Sequence, residues 1–128
     1  VSTILVIEDN QDNFDLIADA LGDEHDLVHA LTGPDGLRQA GRIKPGLIFL
    51  DIGLPDMDGL KVVRHLKADA SLAHIPVAAL TAHAMSGDRE KCLDAGCDDY
   101  MSKPINVREL LSLVERCVGV DKGPAVGS

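Results

Sequence analysis

The sequence predicts an α/β domain: a doubly wound, five-stranded parallel sheet with five helices covering its two faces, a three-layer α/β/α sandwich. Three observations lead there. Short apolar runs alternate five times with stretches of helical periodicity, the order expected when each strand returns to its sheet through a helix. Three runs, residues 4–7 (ILVI), 47–50 (LIFL) and 77–80 (VAAL), are apolar throughout instead of alternating, as strands covered on both faces must be. The intervening loops are short, with no internal repeat or low-complexity tract, so one domain accounts for the pattern.

The elements follow in order. After the first strand, at residues 4–7, Asn10 offers a helix N-cap, and Phe14, Ile17, Ala18 and Leu21 fall at i, i+3, i+4 and i+7 on one face of helix one. Residues 27–30 give the second strand, and Leu37, Ala40 and Gly41 mark a shorter second helix. The third strand, at 47–50, precedes helix three with Leu60, Val62, Val63 and Leu66; the fourth, at 77–80, precedes a helix over 86–95 that Gly96 stops. Its segment SGDREKC has scarcely any apolar stripe, which predicts a helix held loosely against the core. Tyr100 and Met101 make a short fifth strand. Asn106, with Glu109 three residues later, approaches a capping box for helix five, whose apolar positions are Val107, Leu110, Leu111, Val114 and Val118. The domain is expected over residues 1–120, with residues 121–128 as a flexible tail or the start of a linker.

Composition narrows the function classes. With 128 residues, 45% of them hydrophobic, the chain can bury a core without disulfide or metal staples. Asp and Glu number 21 against 12 Lys and Arg. The resulting net charge of -9 repels phosphate backbones and anionic lipid, which argues against direct nucleic-acid binding. Cys92, Cys97 and Cys117 are odd in number and lack C-x-x-C spacing, so they read as reduced thiols filling the interior of a cytoplasmic protein. No apolar run is long enough to span a membrane, and the start, VSTILVIEDN, has no basic region before a small-residue cleavage site.

Ligands of an open parallel sheet bind outside the carboxyl ends of its strands, where the strand order reverses. Here strand one runs into Glu8 and Asp9, strand three into Asp51, strand four into Thr81, and strand five reaches Lys103 shortly after Tyr100. One edge thus gathers three carboxylates, a hydroxyl and an ammonium. Each close carboxylate pair repels by roughly 4 kcal/mol at an effective dielectric of about 20, so the edge needs a counterion. An all-oxygen donor set without His or Cys suits a hard cation, and a shallow site with few protein ligands suits Mg2+ better than Ca2+. Asp9 and Asp51 would ligate it directly, with Glu8 acting through water. Taken singly, each residue has a plainer reading: Asp9 and Asp56 as turn formers or helix caps, Thr81 as a β-branched strand residue, Lys103 as a surface lysine. In combination, five residues at four strand ends would each need a separate reason to place a functional type on the same rim.

These residues carry a resemblance. ILVIEDN, LDIGLPDMDG, ALTAHAM and DDYMSKP, in this order and at these separations, are similar to the motifs of the response-regulator receiver domains of two-component phosphotransfer signalling, over roughly residues 2–118. The resemblance implies the flavodoxin-like strand order 2-1-3-4-5, which periodicity does not supply. It implies that Asp51 accepts a phosphoryl group from a phosphohistidine, with Lys103 and Thr81 assisting. It also implies that Mg2+, or Mn2+ in its place, is held by Glu8, Asp9, Asp51 and the Gly53 carbonyl. Thr81 and Tyr100 then occupy the switch positions, reshaping the face of helix four, strand five and helix five. Around the phosphoryl site would lie Gly53, Ala82, His83 and Pro104, and the Lys103-Pro104 peptide is cis in many such domains.

The chain also departs from the pattern. Gly53 and His83 stand where family side chains tune phosphoryl hydrolysis, and Gly53 has no side chain with which to do so. His83 reads as a loop histidine, because no second His or Cys lies at ligand spacing, and His25, His29, His65 and His74 are scattered. A phosphohydrolase would want a second carboxylate two residues beyond its nucleophile, where this chain has Gly53. A flavodoxin-like electron carrier would want a phosphate loop after strand one and aromatics for the flavin; here the loop is EDNQDN, and Phe14, Phe49 and Tyr100 are the only aromatics. A plain interaction scaffold would leave the acidic rim unexplained. The expected partners are a histidine kinase or histidine phosphotransfer protein and a downstream protein, with no membrane partner and with phosphorylation-dependent homodimerisation as a further option. A stand-alone regulator that is itself no conventional enzyme is favoured over a receiver segment of a hybrid sensor kinase.

Overall fold

The computed structural model describes residues 3–23, 25–52, 59–81 and 89–117. Five strands, β1 (Thr3–Ile7), β2 (Asp26–Ala30), β3 (Leu47–Asp51), β4 (Val77–Thr81) and β5 (Asp99–Ser102), alternate with five helices, α1 (Gln11–Leu21), α2 (Gly33–Ile43), α3 (Gly59–Ala68), α4 (Arg89–Ala95) and α5 (Val107–Cys117). The strands are all parallel and lie in the order β2-β1-β3-β4-β5, the order the resemblance implies.

The unbroken apolar runs serve two cores at once. Successive strand side chains point to opposite faces. Leu5, Ile7, Ile48, Leu50, Val77 and Ala79 therefore meet Ala40 of α2, Val62, Val63 and Leu66 of α3, and Cys92 of α4. Their neighbours Ile4, Val6, Leu47, Phe49, Ala78 and Leu80 meet Ile17 and Leu21 of α1 and Leu110, Leu113 and Val114 of α5. The two edge strands, β2 and β5, are mostly half-exposed. A one-residue slip of β3 would exchange its two faces between unlike helix layers, so register is tightly specified.

Local chemistry fixes the helix ends. Asn10 is extended and its Oδ1 accepts from the Asn13 N–H at 3.2 Å, capping α1. Thr32 does the same for α2 through the Asp35 N–H at 3.1 Å, with Pro34 in the first turn. The Asn106 cap of α5 accepts from the Glu109 N–H at 3.2 Å. At the end of α4, Gly96 takes φ 116, a conformation that favours glycine. The Gly96 and Cys97 N–H groups then donate to the carbonyls of Leu93 and Cys92 at 3.1 and 3.0 Å, closing the helix.

Three expected core positions are corrected. Val107 and Leu111 are 41% and 46% exposed: α5 is rotated so that its buried arc runs through Leu110, Leu113 and Val114, leaving the pair one turn apart on its flank. Gly41 faces outward with open space around it, and α2 instead buries Gly33, Gly36 and Ala40. The described part of α4 reaches the core only through the small side chains of Cys92 and Ala95, with Leu93 exposed. Residues 86–88, Val118 and the expected tail lie outside the described residues.

At the amino-terminal edge of the sheet, Lys67 ties several elements together. Its Nζ donates to the carbonyls of Ala73 and Ile75 at 3.2 and 2.9 Å and to Asp98 Oδ2 at 2.9 Å. The same Asp98 oxygen accepts from the Val77 N–H at 2.9 Å. The helices also differ sharply in charge. α1 carries Asp12, Asp15 and Asp19 and no Lys or Arg, whereas α3, on the opposite face of the sheet, carries Lys61, Arg64 and Lys67 and no Asp or Glu.

The start of α3 lies against the end of β3. A Cβ on Gly59 would sit 2.3 Å from the Ile52 Cα and 2.9 Å from its carbonyl carbon, and backbone cannot swing aside. Gly59→Ala is therefore expected to destabilise the fold by about 1–3 kcal/mol, read as a lower urea midpoint at unchanged m. Burial, reinforced by the neighbouring Cys92, pushes the Cys97 thiol up to about 12, and burial pushes Cys117 up to about 11. Thiolate is the reactive form. An aromatic disulfide reagent at mildly alkaline pH should accordingly leave Cys92 and Cys97 unmodified in the folded protein and label all three cysteines after unfolding.

Candidate functional site

Four strands deliver their polar ends to one cleft. β1 runs into Glu8, fully buried, followed by the exposed Asp9; β3 ends in Asp51, 4% exposed, and β4 in Thr81, 2% exposed. Lys103 follows β5, where its backbone N–H donates to the Thr81 carbonyl at 2.8 Å and its peptide with Pro104 is cis. These are the positions at which apolar strand residues give way to polar ones, so the fold itself assembles the group.

Within the cleft the Lys103 Nζ donates to Asp51 Oδ2 at 2.9 Å and lies 3.4 Å from Glu8 Oε1. It is the countercharge shared by two buried acids. Glu8 has further donors: the Asn10 N–H reaches its Oε2 at 3.2 Å and Asn13 Nδ2 its Oε1 at 3.3 Å. Glu8, Asp9 and Asp51 each offer an oxygen, all within 4.8 Å of one another. Such a three-carboxylate oxygen set fits a hard divalent cation with retained waters.

Burial, then the hydrogen bond and negative charge of Asp51, raises the Glu8 carboxyl to about 7 from the usual 4.5, against the opposing pull of Lys103 and the Asn10 N–H. For Lys103, burial alone would favour the neutral amine. The hydrogen bond to Asp51 and the charges of Asp51 and Glu8 prevail and hold its ammonium form above its ordinary range.

The structure thus brings together Glu8, Asp9, Asp51, Thr81 and Lys103. Tyr100 sits half-buried on β5 against the α2, α3 and α4 side of the core, and Pro104 is exposed beside Lys103. Asp9 does not cap α1; Asn10 does. Gly53, Asp56, Ala82 and His83 lie outside the described residues. Two residues that bear on the cleft were not singled out from sequence. Asn13 is one more polar residue of EDNQDN, and His29 has no ligand-spaced His or Cys in the sequence, although it stacks on Phe14 and contacts the Glu8 carbonyl.

Fold and cleft together define an open α/β domain with a lysine-countered acidic site at the carboxyl edge of its sheet. Residues 4–115 match the family profile of the response regulator receiver domain. The polar-differentiation response regulator DivK of Brucella anthropi is 37% identical over 118 residues, covering 91% of this chain and 96% of that protein. The crystal structure of the receiver domain of a sensor histidine kinase from Pseudomonas aeruginosa PAO1, described with magnesium coordinated in its active site cleft, superposes with a TM-score of 0.85 at 35% identity, covering 92% of this chain and 98% of that one. The chemotaxis protein CheY4 of Vibrio cholerae, at 20% identity and a TM-score of 0.86 over 92% of this chain and 99% of that one, shares the fold.

The chain belongs to the response regulator receiver domain family of two-component signalling. Membership sets aside the electron carrier, the phosphohydrolase and the plain scaffold. Among the described residues no helix is long and apolar enough to cross a membrane.

The raised Glu8 carboxyl gives a sign. Without cation it retains its proton up to about pH 7; cation binding at the cluster favours the carboxylate and so expels that proton. Apparent Mg2+ affinity should therefore climb as pH rises toward 7 and level off above it. Calorimetric titration across that range checks this, with Glu8→Gln flattening the dependence.

Proposed function

We propose that this protein is a phosphoacceptor switch in which Asp51 takes a phosphoryl group from a phosphohistidine on a histidine kinase or histidine phosphotransfer protein. The observation that carries the reading is the Lys103 ammonium set 2.9 Å from the buried Asp51 and 3.4 Å from the buried Glu8, beside a third carboxylate on Asp9.

An Asp51 carboxylate oxygen attacks phosphorus. The P–O bond forms as the P–N bond to the donor imidazole breaks, and the imidazole leaves with the bond's electron pair and takes up a proton. Asp51 needs no general base, because the carboxylate is itself the nucleophile. The transferring group carries charge on its outer oxygens, so catalysis consists largely of positioning and countercharge. Lys103, held through its own N–H to the Thr81 carbonyl, supplies a fixed positive charge, and the Thr81 hydroxyl supplies a donor on the neighbouring strand. Glu8, Asp9, Asp51 and the Gly53 carbonyl would hold Mg2+, which when bound neutralises phosphoryl oxygen charge; Mn2+ is the expected substitute.

Thr81 and Tyr100 act as the switch pair, on adjacent strands in which Ala79 is opposite Tyr100 and Thr81 opposite Ser102. Their rearrangement on phosphorylation would alter the face of α4, β5 and α5, where the small contact residues of α4 make displacement inexpensive, and a downstream protein reads that face in the cytoplasm. The relatives named above favour a response regulator, since the match extends over nearly the whole of DivK.

Incubation with acetyl phosphate and Mg2+, followed by intact-mass measurement, tests the reading. Wild type should gain one phosphoryl group, Asp51→Asn none, and omission of the divalent cation should largely abolish the gain. A wild type that stays unmodified, or an Asp51→Asn variant modified equally, would falsify it.

A further inference from the structure

The edge strand β2 contributes no carboxylate to the cleft, yet it grips the backbone on which two of them stand. His29 lies half-buried on β2, with its ring stacked on that of Phe14 from α1, centroids 4.1 Å apart and planes within 2°. Its Nε2 is 2.7 Å from the Glu8 carbonyl oxygen. A carbonyl can only accept, so Nε2 carries the hydrogen and donates it. On the other side of the same residue, the Glu8 N–H donates to the Ala30 carbonyl at 3.0 Å. Both main-chain polar groups of Glu8 are thus held by consecutive residues of β2.

The carbonyl in question belongs to the peptide joining Glu8 to Asp9. Rotation of that peptide would swing the two carboxylates relative to each other and to Asp51, whose oxygens lie within 4.8 Å of theirs. We infer that His29 is a positioning residue for the cation site: its Nε2–H, aimed by the stack on Phe14, fixes the Glu8–Asp9 peptide and with it the angle at which both carboxylates enter the cleft. This rests on the cation-binding role proposed for the cluster. The chemistry is that of an outer hydrogen bond orienting ligands it does not replace, a class of contact whose loss weakens metal binding without removing any donor atom.

The test uses the unphosphorylated full chain, with Mg2+ dissociation constants from calorimetry and urea midpoints measured in parallel. His29→Leu should weaken Mg2+ binding on the order of 10-fold. His29→Gln, whose amide N–H reaches about as far as Nε2, should restore most of that loss. Phe14→Leu, which removes the stack but leaves the donor, should fall between. The core variant Ile17→Val, which leaves the donor, the stack and the carboxylates in place, should lower the midpoint and leave Mg2+ affinity unchanged.

The role of His29 is overturned if His29→Leu binds Mg2+ as wild type does, if His29→Gln loses as much as His29→Leu, or if Ile17→Val loses affinity comparably. A wild type that binds no Mg2+ overturns this role together with the cation site. A wild type that binds Mg2+ normally but fails to phosphorylate on Asp51 overturns the phosphoacceptor reading and leaves the role of His29 standing.

Discussion

A single ammonium group makes the rest of the cleft tolerable. Glu8 and Asp51 arrive at the ends of adjacent apolar runs, Ile4 to Ile7 and Leu47 to Leu50, that are wholly buried, and desolvated like charges close together repel strongly. Lys103 lies between them, and the price is visible in Glu8, which holds its proton to near neutrality although it has a cation, a backbone N–H and a side-chain amide around it. One cation for two buried acids and an exposed third leaves the group short of positive charge. That shortfall is the physical reason the cluster could hold a small divalent ion, and it ties a property of the fold, strand ends converging at one edge, to the chemistry of the family.

Much of this was legible in the sequence because two signals coincide at each strand end. The runs ILVI, LIFL and VAAL are buried without interruption, so the first polar residue after each is constrained to the edge. Glu8, Asp51 and Thr81 could be placed by counting, and Lys103 by its closeness to a short last strand. Strand order was a different matter: periodicity says that strands are parallel and covered, not which lies beside which, and the order came only through resemblance.

What could not be read has physical causes. The apolar positions of α5 fit more than one helix rotation, since Val107, Leu110, Leu111 and Val114 all satisfy helical spacing, and only the position of the sheet decides that Leu113 goes in and Leu111 stays out. The small residues of α2 present the same ambiguity, resolved by contact with β1. His29 was invisible because its partner is a backbone carbonyl 21 residues away, and backbone acceptors leave no trace in the order of side chains. Lys67 is a similar case, a lysine whose ammonium is spent on two carbonyls and Asp98.

The contrast between α1 and α3 has an effect that reaches beyond either helix. Three acidic side chains on one flank and three basic ones on the other, across the thickness of the sheet, set up a transverse field between these two helices on top of the net charge. A charged body drifting toward it therefore experiences a torque as well as a pull, and arrives already turned. Because that alignment acts through the solvent, dissolved electrolyte weakens it within a few Debye lengths, so the rate of productive encounter is more sensitive to ionic strength than the contact finally made.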